Sequence, residues 1–95
     1  MKNVEFANLG KYLKEKRVKA KMTQTELADT LGSVHTQFVS NWERGLCAPP
    51  GHCFQDLIGI LKLNRADLVV EMLEDSKKII ELKVYNKKPS RSKTV

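Results

Sequence analysis

The sequence lacks any long apolar run, which argues against a membrane protein. Its uninterrupted apolar runs are only a few residues long, as in Leu68–Val70, whereas a membrane-spanning helix needs roughly 18 apolar residues. No apolar segment follows residues 1–5, so the start of the sequence does not have the pattern of a secretory signal. We therefore expect a cytoplasmic protein with no membrane partner.

Cysteine is also scarce, and Cys47 and Cys53 are the two that the sequence contains. Their spacing matches neither a redox pair nor a zinc knuckle, so we expect reduced, unpaired thiols. His35 and His52 could be imagined as further zinc ligands, but the steps between the four residues are irregular. The sequence therefore predicts no metal site.

Recognisable catalytic patterns are missing as well. The five glycines stand singly, so no glycine-rich loop is available to hold a phosphate, and neither a nucleophile motif nor a paired-carboxylate motif is present. A chain of 95 residues builds one modest core and leaves little room for a deep cleft. We expect a small protein that is not an enzyme and binds no cofactor.

What the sequence does contain is an excess of positive charge at both ends. It has 17 basic and 11 acidic residues; residues 1–22 and 86–95 are strongly basic, whereas residues 23–60 are net acidic. A basic protein favours polyanions, first nucleic acid and second acidic lipid. Improved solubility explains the same excess equally well, so charge alone leaves the function open.

Hydrophobic periodicity predicts helices almost throughout the chain. A capping box at Thr23–Glu26 begins the second helix, and Asn64 with Asp67 caps the fifth. Gly32 and Gly45 end the second and third helices. The five predicted helices run from Phe6 to Lys21, from Thr23 to Gly32, from Thr36 to Arg44, from His52 to Leu61 and from Asn64 to about Tyr85.

The third predicted helix has an apolar side and a polar side. The apolar side is formed by Phe38, Val39 and Trp42. The polar side, at helical spacing, comprises Gln37, Ser40, Asn41 and Arg44. Trp42 and Phe38 could stack on nucleic-acid bases, but at this spacing we assign both to the core.

Arg17 stands out because it falls on the apolar stripe of the first helix, between Leu13 and Ala20. A charge at such a position must either bend out to water or pair with a buried partner. Glu43 lies at the edge of the apolar side of the third helix.

Two short helices joined by a tight turn, the second with a polar outer stripe, form a helix-turn-helix pattern. Thr23–Ala28, Gly32, Val39–Gly45 and Pro49 resemble the Cro/repressor-type (lambda repressor-like) helix-turn-helix family, over about residues 6–73. The resemblance implies an all-α, five-helix DNA-binding domain whose third helix enters the major groove, in a dimer that reads two half-sites. It also implies a buried ion pair between Arg17 and Glu43.

The resemblance further assigns DNA contacts to individual residues. The residues that it implies for base reading are Thr36, Gln37, Ser40 and Asn41. Those expected on DNA phosphates are Gln24, His35, Arg44, Lys87 and Lys88. For Gln24 the physics agrees, because the beginning of a helix attracts anions. The turn before Thr36 is one residue longer than in the commonest members, which affects where the third helix begins.

The C-terminal part goes beyond what a bare DNA-binding domain requires. We expect residues 1–73 to form that domain, residues 74–85 to extend the fifth helix, and residues 86–95 to be a disordered basic tail. The tail either lies along DNA phosphates or only aids solubility. The extension either forms a dimer interface or docks back on the domain, through Ile79, Ile80, Leu82 and Val84.

The sequence thus predicts a dimeric, sequence-specific regulator of transcription that binds double-stranded DNA at an inverted-repeat operator. Repression is the simplest mode, since occupying an operator needs position and no chemistry. We expect it in the cytoplasm of a bacterium or as a phage-encoded protein. One alternative is an antitoxin or interaction module whose C-terminal part binds a protein partner. Another is a non-specific nucleic-acid coat, which the scarcity of Lys and Arg on the polar stripe disfavours.

Overall fold

The computed structural model describes residues 5–85 and places five helices and no strand among them. The helices are α1 (Ala7–Lys19), α2 (Gln24–Thr30), α3 (Thr36–Glu43), α4 (Gly51–Leu61) and α5 (Arg65–Val84). The predicted all-α class is confirmed, and the helix ends lie within about two residues of the predicted ones. No helix in this part of the chain is long and apolar enough to cross a membrane.

Local signals in the sequence account for the helix ends. The Thr23 hydroxyl accepts the Glu26 amide at 3.0 Å, and the Glu26 carboxylate accepts the Thr23 amide at 2.8 Å, so the predicted capping box is confirmed. Gly32 and Gly45 have φ angles of 97° and 77°. These left-handed values are costly for residues with a Cβ, which is why glycine ends α2 and α3 efficiently.

All five helices contribute to one core. Its buried side chains include Leu9, Leu13, Leu27, Ala28, Val39, Trp42, Leu57, Leu61 and Leu68. The sequence missed Tyr12 and Cys53, which are also buried. Apolar burial of this kind is the main favourable term in folding a small domain.

The assignment of Phe38 to the core is wrong. Phe38 is 53% exposed, whereas Val39 and Trp42 on the same helix are buried. The reason is geometric: position 38 lies between the buried side of α3 and the polar side that carries Gln37 and Asn41. The buried side of this eight-residue helix is formed by the side chains of Val39 and Trp42.

The backbones of α1 and α3 approach each other very closely at Gly10. A Cβ atom at this residue would lie 2.5 Å from the Trp42 carbonyl oxygen and 2.6 Å from that of Glu43. Both distances are far below van der Waals contact, and both neighbours are backbone atoms. Glycine is therefore required for α1 and α3 to pack at this separation.

The first turn of α1 is capped by a residue far away in the chain. Phe6, at the N-cap position, makes no side-chain cap. Instead, the carboxylate of Asp75 on α5 accepts the backbone N–H groups of Asn8 at 2.9 Å and Leu9 at 3.0 Å. Asp75 is 4% exposed. Its two hydrogen bonds satisfy amides that the helix itself leaves unpaired.

A second polar contact joins α1 to the beginning of α5. The Asn64 side chain accepts the Asp67 amide at 3.0 Å, as a cap should. In a reciprocal cap, the Asp67 side chain would accept the backbone N–H of Asn64. That N–H instead donates to the Tyr12 hydroxyl oxygen at 3.1 Å. The buried Tyr12 therefore holds the N-cap residue of α5 through its hydroxyl group.

Candidate nucleic-acid interface

The turn between α2 and α3 contains two successive left-handed residues, Gly32 and Ser33, with φ angles of 97° and 63°. The Val34 amide then donates to the Ala28 carbonyl at 3.1 Å, which holds the turn against α2. Helix α3 consequently begins at Thr36, with His35 as its N-cap residue.

His35 has a local structural contact in this arrangement. Its Nδ1 atom accepts the Gln37 amide at 3.4 Å, and its ring centre lies 6.2 Å from that of Phe38. The residue is exposed at the beginning of α3. A histidine placed there remains accessible to a phosphate through its Nε2 atom.

Thr36 is directed toward α2. Its hydroxyl lies 3.4 Å from the Thr25 hydroxyl, and the residue is half-buried. The structure therefore does not group Thr36 with Gln37 and Asn41. Its contact links the beginning of α3 to the first turn of α2.

The outer side of α3 carries two hydrogen-bonded amides, which we call the amide pair. The Gln37 Nε2 atom donates to the Asn41 Oδ1 atom at 3.0 Å, one helical turn further along. Gln37 is exposed, and Asn41 and the neighbouring Ser40 are half-buried. Gln37 Oε1 and Asn41 Nδ2 make no side-chain hydrogen bond within residues 5–85, so the pair offers one acceptor and one donor to a ligand.

Behind this surface, Arg17 and Glu43 are in contact as the resemblance implies. The Arg17 Nε atom donates to Glu43 Oε2 at 2.5 Å, and Nη2 donates to Oε1 at 3.0 Å. The two side chains are 11% and 3% exposed. The remaining Arg17 nitrogen, Nη1, donates to the Met22 carbonyl at 2.7 Å. The bidentate geometry and the extra bond are what a buried ion pair needs to offset its desolvation.

Gln24 belongs to this buried cluster. Its Nε2 atom donates to Glu43 Oε1 at 2.9 Å, so Glu43 joins α1, α2 and α3 at one point. The resemblance implied a DNA phosphate contact for Gln24, and nothing in the sequence indicated its contact with Glu43. The half-buried Gln24 fixes the beginning of α2 relative to α3.

Positive charge is sparse on this surface. Arg44, exposed at the C-cap of α3, is the one basic residue in residues 23–60. Lys87 and Lys88 lie outside the described residues. Recognition through α3 would therefore depend on polar contacts more than on charge.

The cysteines and histidines do not come together. Within residues 5–85, no three His, Cys, Asp or Glu side chains are grouped so that they could hold a metal ion. Cys47 is exposed, Cys53 is buried, and both are free thiols. Burial raises the pKa of the Cys53 thiol above its usual value, and the nearby charge of Asp56 adds to the increase.

A second exposed surface runs along α5. We call it the outer stripe, and it comprises Val69, Leu73, Ile80 and Val84. Their separations of four, seven and four positions place them on one face of the helix. Ile79 is half-buried, and Leu82 follows Ile80 by two positions, which places it on the opposite side. The four residues expected at a dimer interface thus fall on different sides of α5.

Comparison with known families agrees with this geometry. Residues 13–52 match the family model described as helix-turn-helix, a range that extends from α1 to the beginning of α4. The class is therefore a DNA-binding regulator built on a helix-turn-helix. The matched segment is thus similar to the lambda repressor-like helix-turn-helix family over residues 13–52. No curated protein and no solved structure matches it significantly.

Proposed function

We propose that the protein is a dimeric repressor that reads an inverted-repeat operator with α3 in the DNA major groove. The observation that carries this proposal is the amide pair, Gln37 and Asn41, on the outer side of α3. Such a helix fits the major groove, where each base pair presents its own pattern of donors and acceptors. An amide that is already oriented loses less freedom on binding.

The amide pair is suited to adenine. An adenine presents one acceptor, N7, and one donor, the N6 amino group, in the major groove. Gln37 Oε1 and the Nδ2 group of Asn41 supply the complementary acceptor and donor. Ser40, next to Asn41 on the same side, is our further candidate for a base contact. Thr36 is assigned instead to holding α2 against α3.

Contacts to DNA phosphates are proposed for residues around the amide pair. Arg44 and His35 lie at the two ends of α3, where the backbone of the DNA passes on either side of the groove. Lys87 and Lys88 are proposed to add charge from the tail. For Gln24, the oxygen of its amide is bonded to no protein group in the described part, and its nitrogen is held by Glu43. We therefore treat Gln24 as a positioning residue.

The test is a selection of bound sequences from a random duplex pool at near-physiological salt. The expected product is an inverted repeat with half-site centres about 10 bp apart. Gln37→Ala or Asn41→Ala should then lower affinity for the selected site by about 1–3 kcal/mol and relax its sequence. Gln55→Ala is the matched control, since Gln55 is an exposed amide on α4. An unchanged sequence preference in both variants would refute the assignment of α3.

Dimerisation is proposed to use the outer stripe of α5. Four exposed apolar side chains share one face of α5, and a large exposed apolar patch often marks a site of association. A second copy presents the same stripe, so a two-fold arrangement is self-complementary. The two-fold axis would also supply the pair of α3 helices that an inverted repeat requires.

Two substitutions separate this interface from general effects of charge. Ile80→Glu should convert the dimer to a monomer in sedimentation equilibrium and weaken binding to the two-half-site operator. Leu82→Glu should leave both unchanged, because Leu82 is similarly exposed but lies off the stripe; the exposed fractions are 58% and 55%. Equal behaviour of the two variants, or a monomeric unsubstituted chain, would contradict the proposal.

The outer stripe also supports a second candidate function, that of an antitoxin or interaction module. Here a different protein would cover the stripe, and DNA binding would be autoregulatory. A monomeric chain that copurifies with one defined partner, and loses it on Ile80→Glu, would favour this function.

The repressor mode itself is tested by transcription in vitro from a promoter that overlaps the selected operator, where added protein should reduce the transcript.

A further inference from the structure

Phe38 is an exposed aromatic residue on the helix that is proposed to enter DNA. Of the large apolar side chains of α2 and α3, it is the exposed one, whereas Leu27, Val39 and Trp42 are buried. Its nearest aromatic neighbour is His35, with ring centres 6.2 Å apart at a tilt of 59°. About half of the Phe38 surface is therefore exposed to water, at a position where a polar residue would be expected.

The position of Phe38 relative to α2 decides which surface it belongs to. Thr36 and Glu43, seven positions apart and so on one flank of α3, contact Thr25 and Gln24 of α2. Phe38 is two positions from Thr36 and lies on the other flank, which α2 does not cover. That flank adjoins the amide pair, because Phe38 follows Gln37 and precedes Asn41 by one turn.

We propose that Phe38 is a specificity-determining residue that contacts the 5-methyl group of a thymine in the major groove, beside the base read by Gln37 and Asn41. The inference rests on the proposed function of α3. Among the groups that base pairs present in the major groove, the thymine methyl is the apolar one, and phenylalanine can contact it. The Phe38 ring would thus contact the apolar methyl group of a thymine, while the neighbouring amide pair binds the polar edge of the adjacent base.

The contact also explains why an apolar side chain occupies this flank. Enclosing a methyl group against the ring removes apolar surface of both molecules from water, which is favourable and has no strict directional requirement. Cytosine lacks the methyl group and would leave the ring wet. Discrimination at this base pair would therefore come from Phe38 without any hydrogen bond.

The experiment is a double-mutant cycle between the protein and the DNA. On the selected operator, each thymine of one half-site is replaced in turn by deoxyuridine, which removes only the methyl group. Binding is measured for the unsubstituted protein, for Phe38→Ala and for Phe38→Leu. Leu82→Ala is the control for loss of an exposed apolar side chain elsewhere, and thermal melting checks that each variant is folded.

One thymine should stand out in the unsubstituted protein, with a loss of roughly three- to tenfold in affinity on methyl removal, as expected for one buried methyl group. Phe38→Ala should bind the original site more weakly by a similar factor and show no further loss at that position. Phe38→Leu should retain part of the dependence. Leu82→Ala should behave as the unsubstituted protein does.

Two results would overturn the inference in different ways. If an operator is selected and the methyl dependence is the same in Phe38→Ala as in the unsubstituted protein, or is absent from both, then Phe38 does not read thymine while the function of α3 stands. If Phe38→Ala changes the oligomeric state and not the methyl dependence, the ring belongs to a protein interface. If no sequence is enriched at all, the proposed function fails and this inference fails with it.

Discussion

The two ends of α1 are each fixed by a buried carboxylate from another helix, but the two carboxylates are neutralised in different ways. Near the end of α1, Glu43 of α3 is paired with the guanidinium of Arg17. At its beginning, Asp75 of α5 accepts backbone N–H groups of Asn8 and Leu9. The first site balances charge against charge, and the second balances charge against the amides at a helix N-terminus.

The difference teaches where the fold is most sensitive. At the first site, removing either Arg17 or Glu43 leaves the other as an uncompensated charge in a buried place. At the second site, removing the Asp75 carboxylate leaves neutral amides, whose lost hydrogen bonds cost less than an isolated charge. The Arg17–Glu43 contact near the end of α1 should therefore tolerate substitution less than the Asp75 contact at its beginning.

The largest effect is expected from breaking the Arg17–Glu43 pair. Glu43→Ala or Arg17→Met should lower the free energy of unfolding in urea by about 3–5 kcal/mol, because each leaves a buried charge alone. The double variant Arg17→Met/Glu43→Leu removes both charges and should recover much of that loss. A double variant as unstable as the sum of the single ones would show that the charges are not coupled.

A smaller effect is expected at the other end of α1. Asp75→Ala should lower the free energy of unfolding by about 1–3 kcal/mol, since two charge-assisted hydrogen bonds are lost. Asp75→Asn keeps one acceptor oxygen and should fall between. The adjacent, exposed Glu74→Ala is the control and should stay within about 0.5 kcal/mol. If Asp75→Ala costs as much as Glu43→Ala, the proposed order of sensitivity is wrong.

Tyr12 provides a contact between α1 and α5 that involves no charge. Tyr12→Phe removes the hydroxyl that accepts the Asn64 amide, and we expect a loss of about 1 kcal/mol in the free energy of unfolding. Tyr85→Phe, at an exposed tyrosine, is the matched control. A loss at Tyr12 no greater than at Tyr85 would mean that water replaces the hydroxyl.

The smallest perturbation uses the cysteines as probes. Cys47 should react quickly with a thiol reagent at neutral pH, whereas Cys53 should react slowly, because burial blocks access and raises its pKa. The raised pKa favours the folded state at neutral pH, and this contribution is lost as the pH rises through the folded-state value. The rate at Cys53 should increase more in Glu43→Ala than in Asp75→Ala. The opposite order would contradict the comparison.

Much of the fold could be predicted from local patterns. The capping box at Thr23, the glycines after α2 and α3, and the apolar periods gave the five helices, since each signal lies within a few residues of its effect. Arg17 was recognisable because a charge on an apolar stripe requires a partner. These features depend on short stretches of sequence, and each stretch is compatible with few alternative local structures.

Other features depend on tertiary placement and left no local signal. Asp75 is separated by 66 residues from Leu9, whose amide it accepts, and it stands beside Glu74 in a charge-rich helix. Gln24 gave no sign that its amide would bind Glu43. Phe38 was misassigned because helical spacing identifies the side of a helix but not how far the neighbouring helices extend over it.

Gly10 has a mechanical consequence for the whole molecule. The Trp42 and Glu43 carbonyl oxygens lie where a Cβ atom of residue 10 would clash with them, so α1 and α3 have no side chain of residue 10 between them that could deform. Sliding or rolling one helix along the other would first require them to separate. A load applied to α3 would therefore pass at this point to the beginning of α1, whose first-turn amides are held by Asp75 of α5.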